Sequence, residues 1–316
     1  MSSSPRKTPK QKPADKPLRE RRAPVATRAP KNGVRAKTPF HVRFWGVRGS
    51  IPAPGRHTRR YGGNTPCVEM RVGDELLVFD LGTGVRPLGD YLLSQGKPVQ
   101  ASMFLSHYHY DHLQGLPFFT PIFNPKNAFT FYGSPRNGQS VKQILSGQMT
   151  QPYFPVTADG VFRAQLNYHD IQPGEVLRIG PAQVSTVELN HPGGNLGYRV
   201  DCGGRSVVYA TDIEHSSETD ERFYAFAKGA DVLIYDAMYT NDEYCGKAGP
   251  PRTGWGHSTW EAAVKAANES QVKKLVLFHH DPTRDDAEIN RLVKQVRKHR
   301  PEAIAAYEDM VLKVVA

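Results

Sequence analysis

From Phe40 onward the chain alternates short apolar runs, most of them closed by Gly, Asp or His, with longer segments whose apolar residues recur at helical spacing. The runs predict strands at 42–45, 76–80, 103–105, 129–132, 184–189, 197–201, 207–210, 232–235, 275–278 and 311–315. The longer spacing predicts helices at 141–149, 219–228, 259–269 and 287–298. Strands come first in bunches and helices intervene later. That order predicts two sheets packed face to face with helices on the outer sides.

Charge changes how the chain divides. The net charge of +10 lies within residues 1–38, which hold twelve Lys and Arg against Asp15 and Glu20. The rest balances at 29 basic and 29 acidic residues, so the expected organisation is a basic tail, 1–38, and one domain, 39–316. The tail has no aromatic residue and repeated prolines, too little apolar surface to offset its ordering entropy, and is expected to be disordered. Such a run reads as a solvating extension or as an arm for nucleic acid or an acidic partner. It lacks the apolar core of a secretory signal, and no stretch is long enough to span a bilayer. Cys67, Cys202 and Cys245 are odd in number and far apart, which fits reduced thiols and a cytoplasmic location.

The candidate chemistry starts at Ser106-His107-Tyr108-His109-Tyr110-Asp111-His112, directly after the apolar run 101–105. A turn after a strand can point alternate side chains one way, so His107 and His109 could share one ion while Asp111 and His112 face a second. Mixed imidazole and carboxylate ligands suit two divalent ions, Zn²⁺ first, with Mn²⁺ or Fe²⁺ as alternatives. Three further strand ends carry matching groups. His191 precedes Pro192-Gly193-Gly194, Asp212 closes 207–211, and His279 closes 275–278 beside His280 and Asp281. Each one alone is an ordinary turn former; their recurrence after apolar runs is the signal.

The order His-x-His-x-Asp-His, then His, Asp and His, resembles the metallo-β-lactamase superfamily over about residues 40–316. The resemblance implies an αββα sandwich, α+β in type, with two mixed β-sheets, helices on the outer faces and metals at the strand ends. It implies that His107, His109 and His191 hold one ion, that Asp111, His112 and His279 hold the other, and that Asp212 bridges them. His280 follows the same strand as His279 and stays open as its substitute.

Gly256-His257-Ser258-Thr259 resembles the phosphodiesterase branch of that superfamily, which includes ribonuclease Z and cyclic-nucleotide phosphodiesterases. There the equivalent of His257 protonates the leaving oxygen or stabilises charge on phosphorus; Asp236 either orients it or merely ends its strand. Ser258 and Glu261 read as a capping box for the following helix. Two glycine-rich blocks, 44–50 and 61–65, are similar to the cyclic-nucleotide-type hydrolases and nominate Arg48 and Asn64 as substrate contacts, although Gly62-Gly63-Asn64 reads equally as a turn. The interval from His191 to Asp212 has no room for the long arm with which ribonuclease Z grips tRNA.

The expected function is therefore a dinuclear-metal phosphodiesterase acting on a small cyclic nucleotide of the cAMP or cGMP type. A hydroxide held between the ions attacks, Asp111 accepts a proton and His257 donates one. The alternatives are a ribonuclease Z-like tRNA 3′-end endonuclease, in which the basic tail replaces the arm, and a thioesterase or lactonase, which would leave His257 without a task. A non-enzymatic metal sandwich is the remaining reading. The branch's relatives are often dimers, so a homodimer is a further expectation.

Overall fold

Fourteen strands form two sheets among the described residues, which in this computed structural model are 38–216 and 220–315. The expected tail, except Thr38, lies outside the described residues, as does Thr219 at the start of one expected helix. In chain order the strands are β1 (Phe40–Gly46), β2 (Cys67–Val72), β3 (Glu75–Phe79), β4 (Gln100–Phe104), β5 (Ala128–Gly133), β6 (Gln165–Asp170) and β7 (Val176–Ile179). There follow β8 (Ala182–Leu189), β9 (Asn195–Cys202), β10 (Arg205–Ala210), β11 (Val232–Asp236), β12 (Lys274–Phe278), β13 (Ile304–Ala305) and β14 (Val311–Lys313). The helices are α1 (Val85–Ser94), α2 (Tyr110–Leu113), α3 (Val141–Gly147), α4 (Ala158–Val161), α5 (Asp220–Ala227), α6 (Asn241–Tyr244), α7 (Trp260–Glu269) and α8 (Asp286–Val296).

One sheet runs β14-β1-β2-β3-β4-β5-β6 and the other β13-β12-β11-β10-β9-β8-β7. Both are mixed in the same way. Pairing is antiparallel from β14 to β3 and from β7 to β10, and parallel from β3 to β6 and from β10 to β13. Parallel strands need crossovers, and the helices supply them. The parallel half of each sheet therefore has its carboxyl ends together, where loops are free to carry side chains.

Three apolar layers hold this arrangement. Between the sheets, Phe44, Phe79 and Phe104 meet Tyr198, Tyr209 and Phe278. Phe79 stacks on Phe104 at 5.1 Å between ring centres and meets Tyr198 edge-on at 5.4 Å. Outside one sheet, Val85, Leu88 and Leu92 of α1 cover β3 and β4; outside the other, α5, α7 and α8 cover β10 to β12. Strands β10 and β11 are buried along their whole length, which is why they read as continuous apolar runs. Each large side chain so buried contributes about 1.5–3 kcal/mol.

The elements that sequence pattern misses have identifiable causes. Strand β2 hides behind Glu69 and Arg71, charges that look solvent-facing. Glu69 is only 2% exposed, accepts from Trp45 Nε1 at 2.8 Å and pairs with Arg71 at 2.6 Å. Strand β6 is a polar edge strand and β7 a four-residue one, each with only a partly buried stripe. Helix α1 contains Pro87 and Gly89. The proline falls in the first turn, where its missing N–H has no helical partner anyway, and a Cβ on Gly89 would lie 2.9 Å from Pro121. The α7 cap is also one residue later than expected: Thr259 accepts from the Ala262 N–H, while Ser258 Oγ donates to Ile213 O.

Candidate metal centre

The site assembles at the carboxyl ends of the parallel strands β4, β10, β11 and β12 and of the antiparallel strand β8. His107 and His109 follow β4, and His109 is the extended residue before α2, whose first turn carries Asp111 and His112. His191 follows β8, Asp212 follows β10, Asp236 ends β11 and His279 follows β12. Asp212 and His279 hold positive φ, 50° and 58°, unusual for residues with a Cβ. Such conformations cost about 1–3 kcal/mol each and persist where the surroundings fix them, as at functional sites.

Two groups form. His107, His109 and His191 each offer a ligand atom, all within 4.8 Å of one another; so do Asp111, His112, Asp212 and His279. Asp212 lies between the groups. Its Oδ2 is 3.7 Å from His107 Nε2, and its Oδ1 is 3.2 Å from Nε2 of both His112 and His279. Asp111 Oδ2 is 3.1 Å from His112 Nε2 and 3.2 Å from His279 Nε2. Asp236 and His257 make a third group with Asp212 and His279.

The fit to metal ions can be tested on the imidazoles themselves. The Nε2 atoms of His107 and His112 are buried without a hydrogen-bond partner among the described residues. Their Nδ1 atoms are engaged from outside, by Ser106 Oγ at 3.1 Å and Asp80 Oδ2 at 2.8 Å, and His191 Nδ1 meets Gly256 O at 2.8 Å. That pattern holds each ring by Nδ1 and turns Nε2 inward, towards Asp111 and Asp212 for His107 and His112 and towards His109 for His191, as ligation requires. Burial lowers the pKa of His107 well below the usual imidazole range, and lowers those of His109 and His191, so these rings stay neutral. Burial raises the pKa of Asp111 and Asp212, but His112 and the neighbouring imidazoles outweigh it, and both stay ionised. Burial opposes charge on His112 too, yet Asp111, Asp212 and Asp80 raise its pKa well above normal. Neutral imidazoles at His107, His109 and His191, beside the ionised carboxylates of Asp111 and Asp212, make a donor set that fits two divalent ions.

His257 faces the same space. Its Nδ1 meets Asp236 Oδ2 at 2.8 Å and lies 3.8 Å from Asp212 Oδ2. Burial lowers its pKa, and Asp236 more than reverses this, raising it to about 9. Ser50, Tyr108, His109, Tyr110, Asp111, Asp212 and His257 line a pocket of about 530 Å³. That volume lies within the usual range for a small-molecule site.

The structure separates His279 from His280. His280 points away, with Nε2 2.9 Å from Ala306 O, and burial lowers its pKa to about 3. Arg48 needs correcting as a substrate contact. It is fully buried, and its guanidinium donates to the carbonyls of Gly62, Asp281 and Arg284, a clamp between loops. Asn64 is not in the metal-site pocket either. Its carbonyl accepts from the Val47 and Arg48 N–H groups, and its own N–H donates to Glu308. Of the two glycine-rich blocks, the first does approach the site: Ser50 N–H donates to Asp111 Oδ2 at 2.8 Å, and a Cβ on Gly49 would lie 2.6 Å from the His279 ring. The second block packs instead against Glu308 and Ala53.

Two supporting residues escape the sequence reading. Asp80 closes the run before it just as Asp212 does, and accepts from Ser106 N–H, Ser106 Oγ and Tyr209 Oη while holding His112. Glu214, two residues after Asp212, accepts from Tyr244 Oη and Gly254 N–H at 2.6 Å and from Gly256 N–H at 2.8 Å. It pins the loop whose Gly256 carbonyl meets His191 and whose next residue is His257.

Comparison with known proteins agrees with this fold. A family model described as a beta-lactamase superfamily domain matches residues 83–280. Ribonuclease Z of Pyrococcus horikoshii is 24% identical, over 77% of this chain and 87% of its own. The probable metallo-hydrolase YhfI of Bacillus subtilis is 26% identical, over 78% of this chain and 91% of its own. The YhfI crystal structure superposes with a TM-score of 0.67, at 21% identity, over 88% of this chain and all of that one. A diphosphatase of the PhnP family gives 0.62 at 19% identity, over 86% and 97%. Among the described residues no helix is long and apolar enough to cross a membrane.

Proposed function

The chain belongs to the beta-lactamase superfamily, and on that footing we propose that it is a metal-dependent phosphodiesterase that hydrolyses a small cyclic nucleotide. The observation that carries this reading is the His257–Asp236 pair, 2.8 Å apart, whose His257 lines the same pocket as Asp111 and Asp212. His107, His109 and His191 would hold one divalent ion and Asp111, His112 and His279 the other, with Asp212 shared between them. When bound, such ions lower the pKa of water towards about 7 and neutralise charge on phosphoryl oxygens.

The protein's own groups do the rest. His257 carries a proton at neutral pH because Asp236 stabilises its imidazolium, and its position at the pocket suits it to protonate the departing oxygen. Asp236 takes the Nδ1–H throughout, so the neutral ring left after transfer keeps one tautomer and one orientation. Ser50 N–H steadies Asp111, and Gly256 O steadies His191. A thioester would release a thiolate, which needs no proton from the imidazolium of His257, whereas an alkoxide leaving phosphorus does.

A compact substrate suits the pocket volume and the chain between His191 and Asp212. That interval holds only β9, a turn at Gly203 and Gly204, and β10. A second reading, cleavage at the 3′ end of tRNA, is favoured by the likeness to the Pyrococcus horikoshii ribonuclease Z. The test is turnover of cyclic mononucleotides and of precursor tRNA by Zn²⁺- or Mn²⁺-loaded protein, with Asp111→Ala and His257→Ala as controls. Turnover of neither substrate class would overturn the phosphodiesterase reading.

A further inference from the structure

A second concavity lies away from the metal centre. Between α8 and the edge strands β13 and β14 runs a groove of about 1100 Å³, against about 530 Å³ for the metal-site pocket, and the two share no lining residue. Arg60, Lys274, Arg291, Lys294 and Arg297 line the groove, and no Asp or Glu does. The residues after 38 balance in charge as a whole, so five cations in one groove with no carboxylate in its lining are a local excess. Lys274 and Lys294 make no ion pair among the described residues, and Arg291 only reaches Glu288 at 3.8 Å on the surface. The groove also has an apolar part, formed by Ile304, Met310 and Leu312, with the Tyr307 ring 44% exposed.

We propose that this groove binds single-stranded nucleic acid at a site separate from the hydrolytic one. Cations along a channel follow a phosphate backbone, while an apolar surface with an exposed aromatic ring takes unstacked bases. A duplex keeps its bases inside and would leave that surface unused. The volume exceeds the roughly 300–1000 Å³ of a small-ligand pocket, which suits an extended occupant. An acidic peptide adding as a strand fits less well, because β13 and β14 offer only two and three residues of edge. The segment before Thr38, with a net charge of +10, has no charge complementarity to a cationic groove.

The test reads binding without turnover, so its outcome is independent of the phosphodiesterase reading. Anisotropy of a labelled oligothymidylate of about twenty nucleotides is titrated with the full chain at several salt concentrations. The variant Lys274→Gln/Arg291→Gln/Lys294→Gln should bind at least about tenfold more weakly at 0.1 M salt. Its slope of log affinity against log salt should be shallower by about 2, from three lost contacts at about 0.7 each. Tyr307→Ser should weaken oligothymidylate but leave inorganic polyphosphate unaffected, and both variants should hydrolyse a small phosphodiester as the parent does. Unchanged affinity and slope in the triple variant would overturn the proposal. So would indifference to Tyr307→Ser, which would reduce the groove to a simple anion site, or an oligoglutamate peptide that binds as tightly as the oligonucleotide.

Discussion

Asp236 and His257 come from the end of β11 and the residues just before α7, 21 positions apart in sequence, yet their Oδ2 and Nδ1 atoms meet at 2.8 Å beside Asp212. The contact gives a buried imidazole a permanent counter-charge on one nitrogen and leaves the other for chemistry.

If His257 protonates the leaving oxygen, His257→Ala should lower kcat about 10²- to 10⁴-fold while metal content stays at the parent level. The loss should shrink with a p-nitrophenyl diester, whose leaving group needs no proton. Asp236→Asn should show a smaller loss of the same kind. Steady-state kinetics on both diesters, with metal analysis alongside, checks the pattern.

In the metal-free protein the same pair makes stability depend on pH. The folded pKa of His257, about 9, lies above the imidazole value of 6.5, so its stabilising effect is complete below about pH 6.5 and is lost as pH rises through 9. Urea midpoints should therefore fall between pH 7 and pH 10. His112, raised by Asp111, Asp212 and Asp80, contributes in the same direction. Asp236→Asn should remove the His257 part and flatten the curve, by an amount on the order of 1–3 kcal/mol at neutral pH.

Gly256 has φ of +85°, and a Cβ there would lie 2.2 Å from His191 Nδ1. On the proposed assignment, Gly256→Ala should displace His191 and weaken binding of the ion that His107, His109 and His191 would hold, while sparing the other. Metal analysis should read close to two ions per chain in the parent and close to one in the variant. Glu214→Gln, which loosens the same loop more gently, should reduce metal affinity about 10- to 100-fold.

Arg48 donates to three carbonyls from a fully buried position. Arg48→Lys cannot reproduce that fork, and should cost about 3 kcal/mol or more of stability with KM unchanged among the molecules that remain folded. Thermal unfolding and KM measured on the same preparation separate this role from substrate binding.

How far the sequence could be read depends on the kind of information each residue carries. His107, His109, Asp111, His112, His191, Asp212 and His279 stand at the ends of apolar runs, so their nearness follows once the runs are strands of packed sheets. The sandwich itself follows from the same runs, because β10, β11 and β12 are buried enough to read as continuous apolar stretches. What escaped depends on tertiary partners. Asp80 looks like an ordinary strand terminator until His112 and Tyr209 arrive, and Glu214 until the loop of Gly254 and Gly256 folds over it. Glu69 and Arg71 disguised β2 because a buried, mutually paired couple looks like two exposed charges. Arg48 is a similar case: its partners are backbone carbonyls, which no side-chain pattern announces.

The central claim is tested most directly by incubating Zn²⁺- or Mn²⁺-loaded protein with a panel of cyclic nucleotides and following the linear nucleotide formed. The account predicts turnover of at least one member, abolished by Asp111→Ala and lowered at least about a hundredfold by His257→Ala. An inert panel alongside cleavage of precursor tRNA would contradict the small substrate, and full activity in His257→Ala would contradict the mechanism.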